Sequence, residues 1–150
     1  LKPHELKKML NWWLPFIFNR IKIIYVANNF LQIKVRLKHT IWNRNPNKSI
    51  WGGSIFSAAD PFFPIMLKQR ILQEGYKTDF FTKATQVEYL KEAKTSLIFD
   101  FKIDEIEFET ALEILLKEKK CECWFTVFGI DELKDKCVKA KVQVYLRLRD

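Results

Sequence analysis

Cysteine and histidine are scarce in this sequence, and each shortage excludes a class of protein. Three cysteines are an odd number, so a complete disulfide framework is excluded and the thiols are predicted to be structural. Two histidines, neither near a cysteine, argue against a metal site. No stretch predicts a signal peptide, and none reaches the roughly 20 apolar residues of a membrane-spanning helix. We therefore expect a cytoplasmic protein with no metal and no membrane span.

The sequence does contain enough apolar material for one well-filled core. It has 150 residues, the usual size of a single domain, of which 48% are hydrophobic and 15% aromatic. A chain of this length buries about two-thirds of its unfolded surface and needs no metal or disulfide for stability. We find no internal repeat and no linker. Residues 1–20 are predicted to be an N-terminal helical extension and residues 21–150 one domain.

The formal net charge is +8, which favours an anionic partner. Nucleic acid, anionic lipid and phosphate-bearing ligands all fit this charge, and so does a solvated surface rich in lysine. A nucleic-acid site would show aromatic side chains between the cations on an exposed sheet face. The polar faces of the strands are mostly Lys and Gln, so we predict no nucleic-acid partner.

Alternation of apolar and polar residues predicts six half-buried strands. They cover residues 21–26, 30–38, 79–90, 95–103, 121–128 and 136–148. The clearest is the second, in which Leu31, Ile33, Val35 and Leu37 share one face. Two helices separate the strands into three pairs, which predicts an α+β fold with an antiparallel sheet curled around a helix.

The first of these helices, over residues 54–73, is apolar nearly all round, which is typical of a buried helix. Its polar residues Ser54, Ser57 and Asp60 follow at a spacing that places them on one face. Pro61 and Pro64 predict a break after Asp60, and Gly75 ends the element.

The remaining helices are predicted at residues 4–13 and 104–120. Pro15 stops the first helix. The apolar run over residues 12–18 could pack on the domain, line a pocket or touch lipid, and of these we expect packing into the core. Asp104 and Glu107 predict an N-cap with a capping box. The apolar stripe of this helix comprises Ile106, Phe108, Ala111, Leu112 and Leu115.

The informative motif runs from Asn45 to Asp60. Asn45 is followed six residues later by Trp51-Gly52-Gly53, and Asp60 comes nine residues after Trp51. This pattern resembles the Asn, His-Gly-Gly and Asp or Glu signature of hotdog-fold acyl-CoA thioesterases of the phenylacetate-pathway and thioesterase-superfamily type. In more detail it looks like an uncharacterised bacterial branch sometimes labelled tetrameric acyl-CoA thioesterase.

The resemblance implies a hotdog domain over residues 21–150 that hydrolyses acyl-CoA or related acyl thioesters. It implies Asp60 as general base or nucleophile, the Gly53 amide as oxyanion donor and Asn45 as the residue that places the water or carbonyl. Trp51, Gly52 and Ser57 would contact the substrate. Independently of the resemblance, a glycine pair at a helix start allows close approach of a ligand to free amides.

Two departures from the signature keep a second function open. Trp51 replaces the usual His, and Lys91 aligns where many relatives place a Ser or Thr facing the Asp. The alternative is therefore a non-catalytic acyl-thioester or fatty-acyl binding module on the same fold. A further possibility is that Asp60 is a buried structural carboxylate.

The resemblance also implies partners and an assembly. The substrate would be a small molecule carried on CoA or an acyl carrier, and no cofactor is expected beyond the CoA of the substrate. Relatives place their sites at a dimer interface, so we expect a homodimer and favour a homotetramer. A group of cations is predicted to hold the CoA phosphates: Lys34, Arg36, Lys38, Lys139, Lys141 and Arg147.

Overall fold

The computed structural model of the protein describes all 150 residues as one sheet with five helices. The strands are β1 (Ile21–Val26), β2 (Gln32–Leu37), β3 (Thr78–Tyr89), β4 (Leu97–Lys102), β5 (Lys120–Ile130) and β6 (Lys136–Leu148). The helices are α1 (Pro3–Asn11), α2 (Leu14–Asn19), α3 (Gly52–Ala59), α4 (Phe62–Gln73) and α5 (Glu105–Glu118). None of these helices is both long and apolar enough to cross a membrane.

The sheet confirms the predicted hotdog arrangement. Its strands lie in the order β1-β2-β4-β5-β6-β3, and every neighbouring pair is antiparallel. Because side chains alternate along a strand, one face of the sheet is apolar, and Ile33, Val35 and Leu37 on β2 are fully buried there. Edge strand β1 is covered by α1, whereas edge strand β3 has no neighbour beyond it.

The central helix is broken as predicted. α3 ends at Ala59 and α4 starts at Phe62, because Pro61 lacks the N–H that a continuous helix needs. Gly75 follows α4 with a φ of +92°, a left-handed conformation that glycine adopts without strain. Most of α4 is buried, but Phe56 and Leu72 are exposed, so the central helices do have an open side.

The N-terminal segment differs from the prediction. Pro15 does not simply end a helix; it lies in the first turn of α2, where its missing N–H costs nothing. Phe16 packs into the core, but four members of the apolar run are exposed: Trp12, Trp13, Leu14 and Phe18. The expectation that the whole run is buried was therefore wrong. Leu6, Leu10 and Phe16 join the same core as the strands, and a domain boundary at residue 20 stays a prediction.

Helix α5 also departs from the prediction at its start. Asp104 occupies the N-cap position with extended backbone, but its side chain makes no capping hydrogen bond. Phe108, Ala111 and Leu115 are buried as expected, whereas Ile106 is exposed. The buried part of the stripe therefore begins at Phe108, and α5 packs against β5.

Candidate active site

Asp60 lies where the central helix breaks, and only half of its hydrogen-bonding capacity is used. Oδ1 accepts a hydrogen bond from Thr85 Oγ1 at 2.8 Å. The backbone carbonyl of Asp60 accepts one from Thr82 Oγ1 at 3.1 Å. Oδ2 has no partner within the chain, and the side chain is only half-buried. One carboxylate oxygen is therefore fixed and the other is free to take a proton from a ligand or a water molecule.

A β-bulge on β3 brings both threonines to Asp60. The register against β6 shifts between Thr82 and Ala84, so Lys83 is an extra residue on this strand. Residues 82 and 85 would point to opposite faces of a regular strand, but the extra residue turns both inward. No residue pattern in β3 predicts this bulge, and Thr85 was missed. The family pattern of a Ser or Thr opposite the acid was the available signal.

Asp60 stands at the head of an apolar groove of about 740 Å³. One wall is the end of α1 and the turn after it, with Met9, Trp12 and Trp13. The opposite wall comes from α4 and β3 and includes Ile65 and Phe80. Asp60 is the only charged residue in the lining, so the groove suits an apolar ligand with a reactive group near the carboxylate.

At the other end of α3, a chain of hydrogen bonds ties Trp51 back onto the protein. The indole Nε1 donates to Ser54 Oγ at 2.7 Å, and Ser54 Oγ donates to Asn19 Oδ1 at 2.8 Å. Ser54 is fully buried, so these partners satisfy a hydroxyl that would otherwise be costly to bury. Trp51 therefore folds over the start of α3 instead of extending away from it.

Aromatic side chains occupy the space beside both glycines. A Cβ on Gly53 would overlap the Trp51 ring, and a Cβ on Gly52 would lie 3.0 Å from Tyr89 Oη. Tyr89 Oη also donates to the Gly52 carbonyl at 3.1 Å. The space beside the glycine pair is therefore filled by the aromatic rings of Trp51 and Tyr89. The Gly53 amide, in the first turn of α3, still has no acceptor within the helix.

Asn45 holds the loop that precedes α3. Its side-chain Oδ1 accepts from the Ser49 backbone amide at 3.1 Å, and its backbone amide donates to the Ser49 carbonyl at 2.8 Å. It lines a shallow depression of about 510 Å³ together with Gly52, Tyr89 and Lys91. This depression is separate from the groove that contains Asp60.

The predicted site residues are thus divided between the two ends of α3. Asn45, Trp51, Gly52 and Gly53 gather at its N-terminus, and Asp60 lies at its C-terminus. Seven residues of α-helix separate Gly53 from Asp60, a rise of about 10 Å. A reacting carbonyl must lie about 3 Å from both its nucleophile and its oxyanion donor, so this separation favours an oxyanion donor other than the Gly53 amide of the same chain.

A family model for a domain of unknown function, DUF4442, matches residues 5–146 of the sequence. The chain belongs to the DUF4442 family. A comparison with curated proteins finds no match.

Several solved structures share the fold of this DUF4442 chain. A Pseudomonas aeruginosa protein of unknown function, described as a probable thioesterase, has a TM-score of 0.80 at 14% identity, with 98% of this chain and 97% of that chain covered. The Haemophilus influenzae thioesterase HI1161 has a TM-score of 0.70 at 9% identity, with coverage of 99% and 92%. The E. coli PaaI protein from the phenylacetic acid degradation operon has a TM-score of 0.65 at 13% identity, with coverage of 97% and 92%. These likenesses show the hotdog fold of thioesterases.

Two further residues of the DUF4442 chain lie elsewhere than the sequence suggested. Lys91 does not face Asp60; its Nζ contacts Asp135 Oδ2 at 2.6 Å and Asp131 Oδ2 at 3.3 Å, and Thr85 takes the expected place. The alignment of Lys91 was therefore wrong, because β3 ends before it. Ser57 donates to the Gly53 carbonyl at 2.9 Å within its own helix and does not line the groove, so its contact with substrate stays a prediction.

Asp131 organises the loop between β5 and β6. Its Oδ1 accepts from the amides of Leu133 at 3.0 Å and Asp135 at 2.9 Å, and its Oδ2 accepts from Lys91 and the Cys137 thiol. The Asp135 amide, with help from Cys137 and Lys91, lowers the pKa of Asp131. Burial, followed by the hydrogen bond to Asp131, raises the pKa of Cys137 to about 11, so this thiol is not a nucleophile at neutral pH.

Proposed function

We propose that this protein hydrolyses acyl thioesters such as acyl-CoA, with Asp60 as the general base or the nucleophile. The observation that carries the proposal is the Asp60 carboxylate, which Thr85 holds by one oxygen while the other oxygen is free at the head of an apolar groove. As a base, Asp60 takes a proton from water, and the water oxygen attacks the thioester carbonyl. The C–S bond then breaks and the thiolate recovers the proton. No cofactor is needed beyond the CoA or carrier of the substrate.

The oxyanion donor in this proposal comes from a second copy of the chain. The Gly53 amide of the same chain lies about 10 Å from Asp60 along α3, which is too far for the two to share a carbonyl. β3 is a 12-residue edge strand with no covering element, and an uncovered edge of this length favours pairing with another strand. A homodimer through β3 brings a second set of Asn45, Trp51 and Gly53 to the Asp60 side, and two such dimers form the proposed homotetramer.

The alternative function, an acyl-binding module without turnover, is favoured by one observation. Trp51 stands in the position of the usual His, and its indole N–H is bonded to Ser54 rather than free for a substrate. Its ring also covers Gly53. A site that binds an acyl thioester without stabilising the developing charge would hold the ligand and not hydrolyse it.

An assay of wild type and Asp60→Asn against acyl-CoAs of about 2 to 16 carbons separates the two functions. The substitution keeps the shape of the side chain and removes its charge. If Asp60 is the base, hydrolysis falls by about 100-fold or more in the variant, while binding of acyl-CoA persists. Equal hydrolysis by both proteins overturns the role of Asp60. Binding by both proteins with no hydrolysis by either establishes the binding module.

A mixed-chain experiment tests the second copy. Gly53→Pro removes the amide hydrogen, Trp51→Ala in the same chain makes room for the added ring, and Trp51→Ala alone is the control. These chains are unfolded and refolded together with Asp60→Asn chains, each set being inactive alone. A shared site regains about a quarter of the wild-type rate, since half of randomly formed dimers are mixed and each holds one intact site. No recovery places both groups in one chain and overturns the shared site.

The compartment and the CoA phosphates belong to the same proposal. Free thiols at Cys121, Cys123 and Cys137 suit the reducing cytoplasm. The cations proposed to hold the phosphates lie on β2 and β6 or next to them, on two strands about 14 Å apart. Binding of acyl-CoA that does not weaken between low and high salt would remove this role.

A further inference from the structure

One wall of the groove beside Asp60 is formed by the N-terminal segment, to which the catalytic proposal assigns no role. Asn11 fixes this segment through two hydrogen bonds to one residue of edge strand β1: Nδ2 donates to the Ile23 carbonyl at 3.0 Å, and Oδ1 accepts from the Ile23 amide at 2.8 Å. Leu10, on the inner side of α1, is buried. The turn that carries Trp12 and Trp13 therefore has a fixed place against the sheet.

Aromatic packing extends this anchoring from the groove into the core. The Trp13 ring meets Phe16 edge to face at a centroid distance of 4.9 Å, and Phe16 stacks on Phe62 at 5.4 Å. Phe16 and Phe62 are buried, whereas Trp12 is 74% exposed on the rim. The wall is thus rigid at Trp13 and open to a ligand at Trp12.

The chemistry of the groove fits one part of an acyl thioester. No basic side chain lines it, and Asp60 repels phosphate, so the CoA phosphates are excluded. A hydrocarbon chain has no hydrogen bonds to satisfy and gains from contact with apolar walls. A group of the size of water fills about 30 Å³, so about twelve methylene groups need about 360 Å³, well within the 740 Å³ of the groove.

We propose that this groove takes the acyl chain of the thioester, that the substrates are long unbranched acyl groups, and that Trp12 on the rim sets the preferred chain length. This inference rests on the proposed function, because it places the thioester carbonyl at Asp60. The acyl chain runs from Asp60 between Ile65 and the turn that carries Trp12. Each methylene that enters the groove strengthens binding by about fourfold, and the gain stops where the chain emerges past Trp12.

Binding to the Asp60→Asn protein tests the groove without any need for turnover. Calorimetry with saturated acyl-CoAs of about 4 to 16 carbons is expected to show the fourfold gain per methylene for the shorter chains and a plateau once the acyl chain emerges past Trp12. Ile65→Trp fills the groove and removes the gain, whereas Ile114→Trp, the same change on the exposed side of α5, leaves it intact. Met9→Trp serves as a second filling variant at an exposed position if Ile65→Trp does not fold. A dissociation constant that does not depend on chain length overturns the proposal.

The role of Trp12 has a matched control in Trp42, which is equally exposed at 74% and lies in a loop away from the groove. Trp12→Ala is expected to shift the preferred length by about two carbons or more, and Trp42→Ala to leave it unchanged. Equal profiles for both variants overturn the role of Trp12. If wild type hydrolyses acyl-CoA but the filling variants alter only its oligomeric state, the groove is an interface between copies; the groove inference then fails while the proposed function stands. If binding depends on chain length but no acyl-CoA is hydrolysed, the groove inference stands and the proposed function fails.

Discussion

Two aspartates in this protein, Asp60 and Asp131, show how a carboxylate available for chemistry differs from one that holds a loop. Asp131 is 6% exposed, and both of its oxygens are occupied, by two backbone amides, an ammonium and a thiol. Asp60 is half-buried, and one of its oxygens is unoccupied beside an apolar groove. The sequence left open whether Asp60 is structural; Asp131 has the partners that such a role requires, and Asp60 lacks them.

The largest expected contrast is between Asp60→Asn and Asp131→Asn. Asp60→Asn lowers hydrolysis by about 100-fold or more and leaves the Tm unchanged or higher, because a partly buried charge has gone. Asp131→Asn lowers the Tm, because the amide cannot accept from Lys91 and the thiol as a carboxylate does. Its hydrolysis follows the folded fraction. Thermal unfolding and an acyl-CoA assay on the two variants measure this, and the reverse pattern would break the comparison.

The next contrast sharpens the role of the threonines that face Asp60. Thr85→Val removes the hydroxyl that holds the carboxylate, and we expect kcat to fall about tenfold or more at similar KM, the scale of a hydrogen bond to a charged group. Thr82→Val is the control, because Thr82 contacts only the backbone carbonyl of Asp60. Steady-state kinetics of both variants decide. An equal loss in both would mean that the bulge, and not the hydroxyl, positions Asp60.

A smaller effect is expected at the opposite end of α3, where the polar groups satisfy one another. Ser54→Ala leaves Asn19 Oδ1 and the Trp51 indole without their partner, and we expect a loss of about 1–2 kcal/mol in the free energy of unfolding. Ser57→Ala, on the same helix, breaks only a bond to its own helix backbone and costs about 0.5 kcal/mol or less. Urea unfolding compares them. Equal costs would contradict the buried network.

The smallest expected effect is the dependence of stability on acidic pH through Asp131. The folded pKa of Asp131 lies below its ordinary value of 3.8, chiefly because the Asp135 amide donates to the charged form. Its contribution to stability is therefore complete above about pH 4 and is lost as pH falls through the lowered pKa. Urea midpoints of wild type and Asp131→Asn, measured from neutral pH to about pH 3, should draw closer to each other as the pH falls. A constant difference across that range would show that packing, rather than charge, stabilises this loop.

Much of the fold could be predicted from local patterns. Apolar residues at every second position located all six strands within a few residues, as on β2 and β6, because only this spacing puts one face of a strand in the core. The break after Asp60 followed from the two prolines, and the end of α4 from Gly75. The family motif identified Asp60 and the glycine pair as candidate site residues.

The predictions that failed were those that depended on neighbours far away in sequence. Lys91 was aligned with the Ser or Thr that faces the acid in relatives, but β3 ends at Tyr89 and Thr85 is the residue that faces Asp60. The apolar run that contains Trp12 was expected in the core, but the core has room only for Phe16. An apolar side chain in the sequence indicates that its burial would be favourable, but it does not indicate whether the folded core has space for it.

Local sequence patterns predict the antiparallel sheet, the broken central helix and an acid at the break, because each follows from spacing or from the backbone chemistry of proline and glycine. The packing of the whole chain decides what surrounds those elements. It set Thr85 against Asp60, folded Trp51 over Gly53, and placed the turn with Trp12 and Trp13 beside the carboxylate as the wall of a groove. The residues that line this groove lie up to 73 positions apart, from Met9 to Thr82, and such distances in sequence are closed only when the whole chain packs.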